Sequence, residues 1–177
     1  MTETSSHRDP DPADNFARRR RQARKFALQA LYQSDLSRDW AWNEKRWTLF
    51  WRLVEREMAE SSARPGPAPP APSVRAFAQE LVAGVCEHRS ELDQRIQARA
   101  SNWTLERMNA VDRNALRLAA YELFHRPDIP PVAAVDEAIE LAKTFGDKNS
   151  GRFVNGVLDA LLRDARPPTQ AEEEVVE

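Results

Sequence analysis

The sequence predicts an all-α protein, a bundle of about seven helices joined by short connections. Three observations lead there. Glycine is scarce, with five residues in 177. Runs of Val, Ile and Thr with two-residue alternation, the mark of half-buried strands, are missing. Apolar residues instead recur every three or four positions, in stretches bounded by proline, glycine or a good N-cap. At 41% hydrophobic residues the chain can supply one core, which we place in a single domain over 16–165.

The first helix is expected to start at Asp14 or Asn15, both good caps, and to run to Leu36. On a helical wheel Phe26, Ala27, Ala30 and Leu31 fall on one side, and Arg21, Lys25, Gln29 and Tyr32 on the other. Trp40 to Glu60 carries Trp47, Phe50, Trp51, Val54 and Met58 at helical spacing, a second amphipathic helix whose aromatic face suits core packing. The segment 61–73, containing "RPGPAPPAP", is unsuited to helix or central strand and reads as an extended loop.

Ser73 is expected to cap a third helix with Phe77, Leu81, Val82 and Val85 inward, ending near His88. Ser90 then restarts a shorter one through Leu92 and Ile96. Thr104 opens a brief turn. Ala110 to His125 presents Val111, Ala115, Leu118, Ala119 and Leu123 on one face and is stopped by Pro127. "PPVAAVDEAIELAKTFG" is a proline-started helix with Val132, Val135, Ala138, Ile139 and Ala142 inward and Gly146 as its stop. The last helix, Ser150 to Leu162, buries Phe153, Val154, Val157, Leu158 and Leu161. The polar, proline-broken residues 1–15 and the acidic residues 166–177 lack apolar periodicity and are expected to be disordered tails.

Charge is unevenly placed on a nearly neutral chain. Net charge is -2, yet Phe16 to Lys25 holds six basic residues and no acidic one, while the last six residues hold four glutamates. No apolar run approaches the ~18 residues a spanning helix needs. Neither a signal-peptide core nor an acid-poor transit peptide is present, and a single cysteine, Cys86, fits a reducing compartment. These features predict a soluble cytoplasmic protein.

No catalytic constellation is found. The sequence has no glycine-rich phosphate loop after a strand, no G-x-S-x-G, no H-E-x-x-H and no C-x-x-C. The three histidines are scattered, and Cys86 with His88 makes only two ligands, so neither a metal site nor a cofactor is expected. Asp136, Glu137 and Glu140 read as solvated-face charge.

The arginine block leaves three readings open. Guanidinium forks match phosphate oxygens, and Arg21 lies three turns from Tyr32 on one face, so the pair could clamp an RNA backbone and stack a base. A solvated basic helix end is the plain alternative. A membrane-surface helix is the third, weakened by an apolar side that is mostly alanine.

Three segments, "RRQARKFALQALYQ" (Arg20 to Gln33), "NAVDRNALRLAAYELFHRPDIPPVAAVDEAIELAKTFG" (Asn109 to Gly146) and "SGRFVNGVLDALL" (Ser150 to Leu162), resemble the bacterial antitermination family NusB in order and spacing. The resemblance covers Phe16 to Arg163 apart from the Trp- and Pro-rich stretch 38–72. It implies an all-helical fold of two three-helix lobes and a non-catalytic function: binding the boxA element of ribosomal RNA leader transcripts, as single-stranded RNA, together with the ribosomal protein NusE. The pair then joins the RNA polymerase elongation complex with the other Nus factors. Self-association into a homodimer that covers the RNA face stays open. So does a relationship to the NusB-like domain of ribosomal-RNA cytosine methyltransferases, which would require a strand-and-helix region with a cofactor-binding glycine turn.

The resemblance places RNA contacts at Arg20, Arg21, Arg24 and Tyr32, with Lys25 and Gln29 on the same helical face, and continues them at Phe145, Asn149, Ser150, Arg152 and Phe153. It places NusE contacts at Tyr121, Glu122, His125 and Arg126. Physical chemistry is compatible with these positions. Arg152 and Phe153 lie in the first turn of a helix, where free N–H groups and the helix dipole favour phosphate. Phe145 and Phe153 flank a glycine-containing loop and could stack unpaired bases, although Phe153 also fits a core position. Departures from the family pattern are Lys25 and Asn149, where acidic residues are common, and Gln22, where some members carry arginine.

Overall fold

The computed structural model describes residues 12–61 and 68–165; most of both expected tails and the middle of the proline-rich loop lie outside them. Among the described residues six α-helices follow in order: α1 (Pro12–Ser37), α2 (Glu44–Ser61), α3 (Pro72–Arg99), α4 (Ala110–His125), α5 (Pro131–Phe145) and α6 (Ser150–Ala165). A single 3-10 turn, Leu105–Arg107, precedes α4. No strand occurs among the described residues.

α4 lies at the centre, against α1, α3, α5 and α6, and α1 packs on α3 as α5 does on α6. Ala115, Leu116, Leu118, Ala119 and Ala120 of α4 are buried, so its neighbours approach closely over small side chains. Gly84 of α3 shows how closely: a Cβ there would fall 2.0 Å from Cζ of Tyr121. A larger residue at 84 would have to displace the Tyr121 ring.

In contrast, α2 reaches the bundle through large rings rather than close backbone packing. Trp51 meets Phe26 of α1 edge-on at 5.4 Å, and Trp47, Phe50 and Trp42 extend the aromatic cluster. Trp42 Nε1 donates to Ser34 Oγ at 2.9 Å, while the Arg46 guanidinium lies 4.0 Å over the Trp42 ring. Arg75 of α3 pairs with Glu55 of α2. The Trp-rich segment is therefore core, as its spacing predicts. Arg38 ends α1 at φ 58°, a left-handed conformation that favours glycine.

Polar residues fasten α4 to its neighbours. Asp35 of α1 is buried and accepts from Arg113 Nε at 2.7 Å and Asn114 Nδ2 at 2.9 Å. Arg117 donates to Asp93 of α3 at 2.6 and 2.9 Å and approaches Asp35 at 3.4 Å. Two arginines of the "DRNALRL" stretch are thus structural cross-links whose charges are compensated inside the protein.

Three sequence expectations need correction. The helix expected to restart at Ser90 is continuous with its predecessor in α3. Ser90 is exposed, no glycine or proline interrupts the segment, and Arg95 Nε donates one turn back to Glu91 at 2.8 Å, so nothing there breaks the helix. Ser73 is not the cap either, because Pro72 already occupies the first turn behind Ala71. Val132, expected inward, is 55% exposed. Helical side chains lean toward the N-terminus, and in the first turn of α5 that direction leads past the core.

Candidate nucleic-acid interface

The arginine block of α1 does not act as one surface. Arg20, Arg21 and Arg24 each take a different main partner: the Phe77 ring, Glu137 and Glu122. Arg20 turns toward α3, with its guanidinium 3.7 Å over the Phe77 ring and 4.9 Å from that of Phe16. Arg126, which follows α4, lies 5.5 Å from the same Phe77 ring. Partial burial and the nearby Arg126 and Arg24 charges pull the Arg20 pKa down. Arg20 thus belongs with Arg126, and with the Asp128 and Glu80 carboxylates that Arg126 binds at 2.8 and 3.3 Å.

Arg21 points to α5 and grips Glu137: Nη2 donates to Oε1 at 2.9 Å, and Nε to Oε1 and Oε2 at 3.1 and 3.2 Å. Its side chain is 67% exposed, so the fork is within reach of a ligand but already holds a carboxylate. Those hydrogen bonds raise its pKa.

Arg24 is a correction to the expected RNA surface, and Glu122 to the expected NusE surface. Both are buried, Glu122 at 2% exposure, and Arg24 Nε donates to Glu122 Oε1 at 2.9 Å. Burial raises the Glu122 pKa, opposed by the Arg24 charge. On the wheel, Arg24 falls between the apolar and polar sides, and α4 meets α1 there. Ser150 is buried as well; its Oγ accepts from Asp147 N at 2.9 Å and Asn109 Nδ2 at 3.3 Å, binding the α5–α6 loop to the start of α4.

The other expected RNA residues gather in two clefts. The first, about 430 Å³, lies beside α1 and is lined by Lys25, Gln29, Tyr32 and Phe145, with Val54 and Met58 of α2 behind them. Lys25 Nζ sits 5.5 Å from the centre of the Phe145 ring, so a cation and two partly exposed rings share one opening. The second, about 730 Å³, is lined by Asn149, Arg152 and Phe153 together with Trp103, Arg107 and Asp112. Trp103 is 51% exposed and meets Phe153 edge-on at 6.3 Å. Phe153 is half-buried, which accommodates both of its expected roles.

Trp103 and Arg107 are missing from the sequence expectations. The available signal was "SNWTLER", a tryptophan in a helix connection, where a large ring has less core to fill. Asp112 was missed too. It is 5% exposed, its Oδ1 has no hydrogen-bond partner, and burial raises its pKa.

On the far side of α4, Tyr121 and His125 lie in one stack with His88 of α3. The sequence treats these histidines as unrelated, whereas the α3–α4 packing sets their ring centres 3.9 Å apart.

Six helices, with α4 packed against α1, α3, α5 and α6, and two open clefts lined by cations and rings define an all-α bundle with a basic and aromatic surface. The NusB family model matches residues 21–163. Transcription antitermination protein NusB of Myxococcus xanthus is 44% identical over 140 residues, covering 79% of this chain and 91% of the relative. The solved structure of T. maritima NusB has a TM-score of 0.63 at 34% identity, covering 84% of this chain and 93% of its own. A solved complex of antitermination factors NusB and NusE with double-stranded RNA gives 0.63 at 29% identity, covering 83% of this chain and 98% of its own. The chain belongs to the NusB family.

Proposed function

We propose that this NusB-family chain is a transcription antitermination factor that binds single-stranded boxA RNA of ribosomal RNA leaders together with NusE. In this reading it joins the RNA polymerase elongation complex with the other Nus factors, in the cytoplasm. The observation that carries the RNA part is the first cleft, where Lys25, Tyr32 and Phe145 from two helices share one opening. Exposed rings beside a cation suit splayed bases and a phosphate backbone. The second cleft, with Arg152, Phe153 and Asn149, extends the surface across the loop before α6. Arg21 lies on the flank of α1 facing α5, and phosphate would replace the carboxylate of Glu137 in its fork.

For the protein partner, Tyr121, His125 and Arg126 remain partly accessible, whereas Glu122 would act only by holding α4 to α1. Support for a shared RNA and NusE assembly comes from the related NusB–NusE complex, solved with double-stranded RNA. The test is binding of a boxA RNA and a scrambled RNA by the full chain, with and without NusE. Tighter binding of boxA with NusE, and a steep loss of affinity with salt, are expected. Equal affinity for scrambled RNA in the presence of NusE would remove the boxA assignment.

A further inference from the structure

We propose that His88, Glu91 and His125 form a binding site for one transition-metal dication, with zinc(II) as the best-matched ion. The site lies on the α3–α4 face and shares no residue with either RNA cleft, while His125 also belongs to the proposed partner surface, so metal binding by the chain alone is tested apart from RNA and NusE binding. His88 and Glu91 are one helical turn apart on α3, and His125 is brought to them from the end of α4.

Their donor atoms all lie within 4.8 Å of one another. Glu91 Oε2 is 3.2 Å from His125 Nε2 and 3.8 Å from His88 Nδ1. Donors around a tetrahedral zinc, with bonds of about 2.0–2.2 Å, stand roughly 3.3–3.5 Å apart, so the donor spacing is close to that of a bound ion while the ring orientations are not. Two imidazoles and a carboxylate suit zinc and its neighbours and not magnesium or calcium, which favour oxygen alone.

Two features indicate that the cluster lacks something. His125 Nε2 is enclosed without a hydrogen-bond partner, because its 3.2 Å approach to Glu91 is out of line for donation. Glu91 is already oriented: Arg95 Nε binds Oε1 at 2.8 Å, leaving Oε2 for an ion, as outer hydrogen bonds do for ligating carboxylates. The stacked rings must respond, since parallel imidazoles cannot both aim in-plane lone pairs at one ion. One ring turns about its Cβ–Cγ bond, a soft torsion. All three side chains are between 24% and 40% exposed, which leaves room for entry and for water as a fourth ligand. Cys86 is excluded from the cluster; its neighbouring charges are Arg89, Arg46 and Arg117.

The full chain, stripped with chelator, is titrated with zinc(II) by calorimetry, and with cobalt(II) by visible absorption to report the ligand geometry. One saturable site in the micromolar range or tighter is expected, with a zinc-dependent rise in Tm. His88→Ala and His125→Ala should weaken binding by about tenfold or more, and Glu91→Gln similarly. His7→Ala, in the N-terminal residues, should leave binding unchanged. Absence of saturable binding, binding indifferent to folded His88→Ala and Glu91→Gln, or loss confined to His7→Ala would each overturn the site.

Discussion

Arg24 and Glu122 form a buried ion pair, Nε to Oε1 at 2.9 Å, across residues 98 positions apart in the chain. It joins α1 to α4, the helix on which both halves of the bundle depend. Breaking a buried pair by removing one partner costs about 3–5 kcal/mol, because the other charge is left uncompensated. Arg24→Ala and Glu122→Ala should therefore lower stability by about that amount in chemical denaturation. Combined replacement, Arg24→Met with Glu122→Leu, should recover much of the loss. If Glu122→Ala kept full stability and weakened only partner binding, the carboxylate would belong to the outer surface after all.

Arg21 behaves differently because its pair with Glu137 is exposed. Exposed pairs contribute about 0.2–1 kcal/mol, so Arg21→Ala should barely alter stability. If Arg21 meets a phosphate, the same substitution should weaken all RNA sequences alike and reduce the slope of log affinity against log salt by about one. Glu137→Gln should tighten RNA binding by removing the competing carboxylate. An unchanged salt slope for Arg21→Ala would place the phosphate elsewhere.

Trp103 offers a separate measurement in the second cleft. Loss of a ring that stacks a base costs about 1–3 kcal/mol of binding. Trp103→Ala should reduce RNA affinity to that extent while circular dichroism and Tm stay close to those of the parent. Phe153→Ala, at a half-buried position, should reduce both. Quenching of Trp103 fluorescence on RNA addition, compared with Trp103→Phe, checks the contact directly.

Asp112 predicts a pH effect. Burial raises its pKa above the ordinary value of 3.8, so the folded protein holds this proton more tightly than the unfolded chain. The resulting stability is complete below about pH 4 and is lost as pH rises through the raised value. Asp112→Asn should flatten that part of the stability profile, measured by denaturant midpoints across the acid range. Asp128 acts in the opposite sense: Arg126 holds its pKa at about 2, so its contribution is present above 3.8 and lost as pH falls toward 2. Asp128→Asn should remove that acid-side loss, a small one because the Asp128 carboxylate is itself largely exposed.

Much of the helical layout was legible before any coordinates. The expected bounds of α4, Ala110 to His125 before Pro127, match the structure, in which Asn109 caps the start by accepting from Asp112 N at 2.8 Å. The aromatic face of α2 and the inward stripe of α6 follow from spacing alone. Where the reading failed locally, at Ser90, a residue that suits caps sat harmlessly on an exposed helix surface. The family resemblance rested on linear motifs and needed no contacts.

The candidate site was legible as a set of residues named by the family resemblance, but not as a surface. Sequence by itself determined that arginines cluster before a small apolar face, and that rings and cations recur near the start of α6, because residue type and helical period are local properties. Only the tertiary structure decided that Arg24 is spent inside the protein, that Arg21 already holds Glu137, and that Lys25 meets Phe145. The same packing brought His88 to His125 and left Trp103 open to solvent. The reason is physical: whether a charge is free depends on its distance from opposite charges and from water, and those distances are set by how helices far apart in the chain pack.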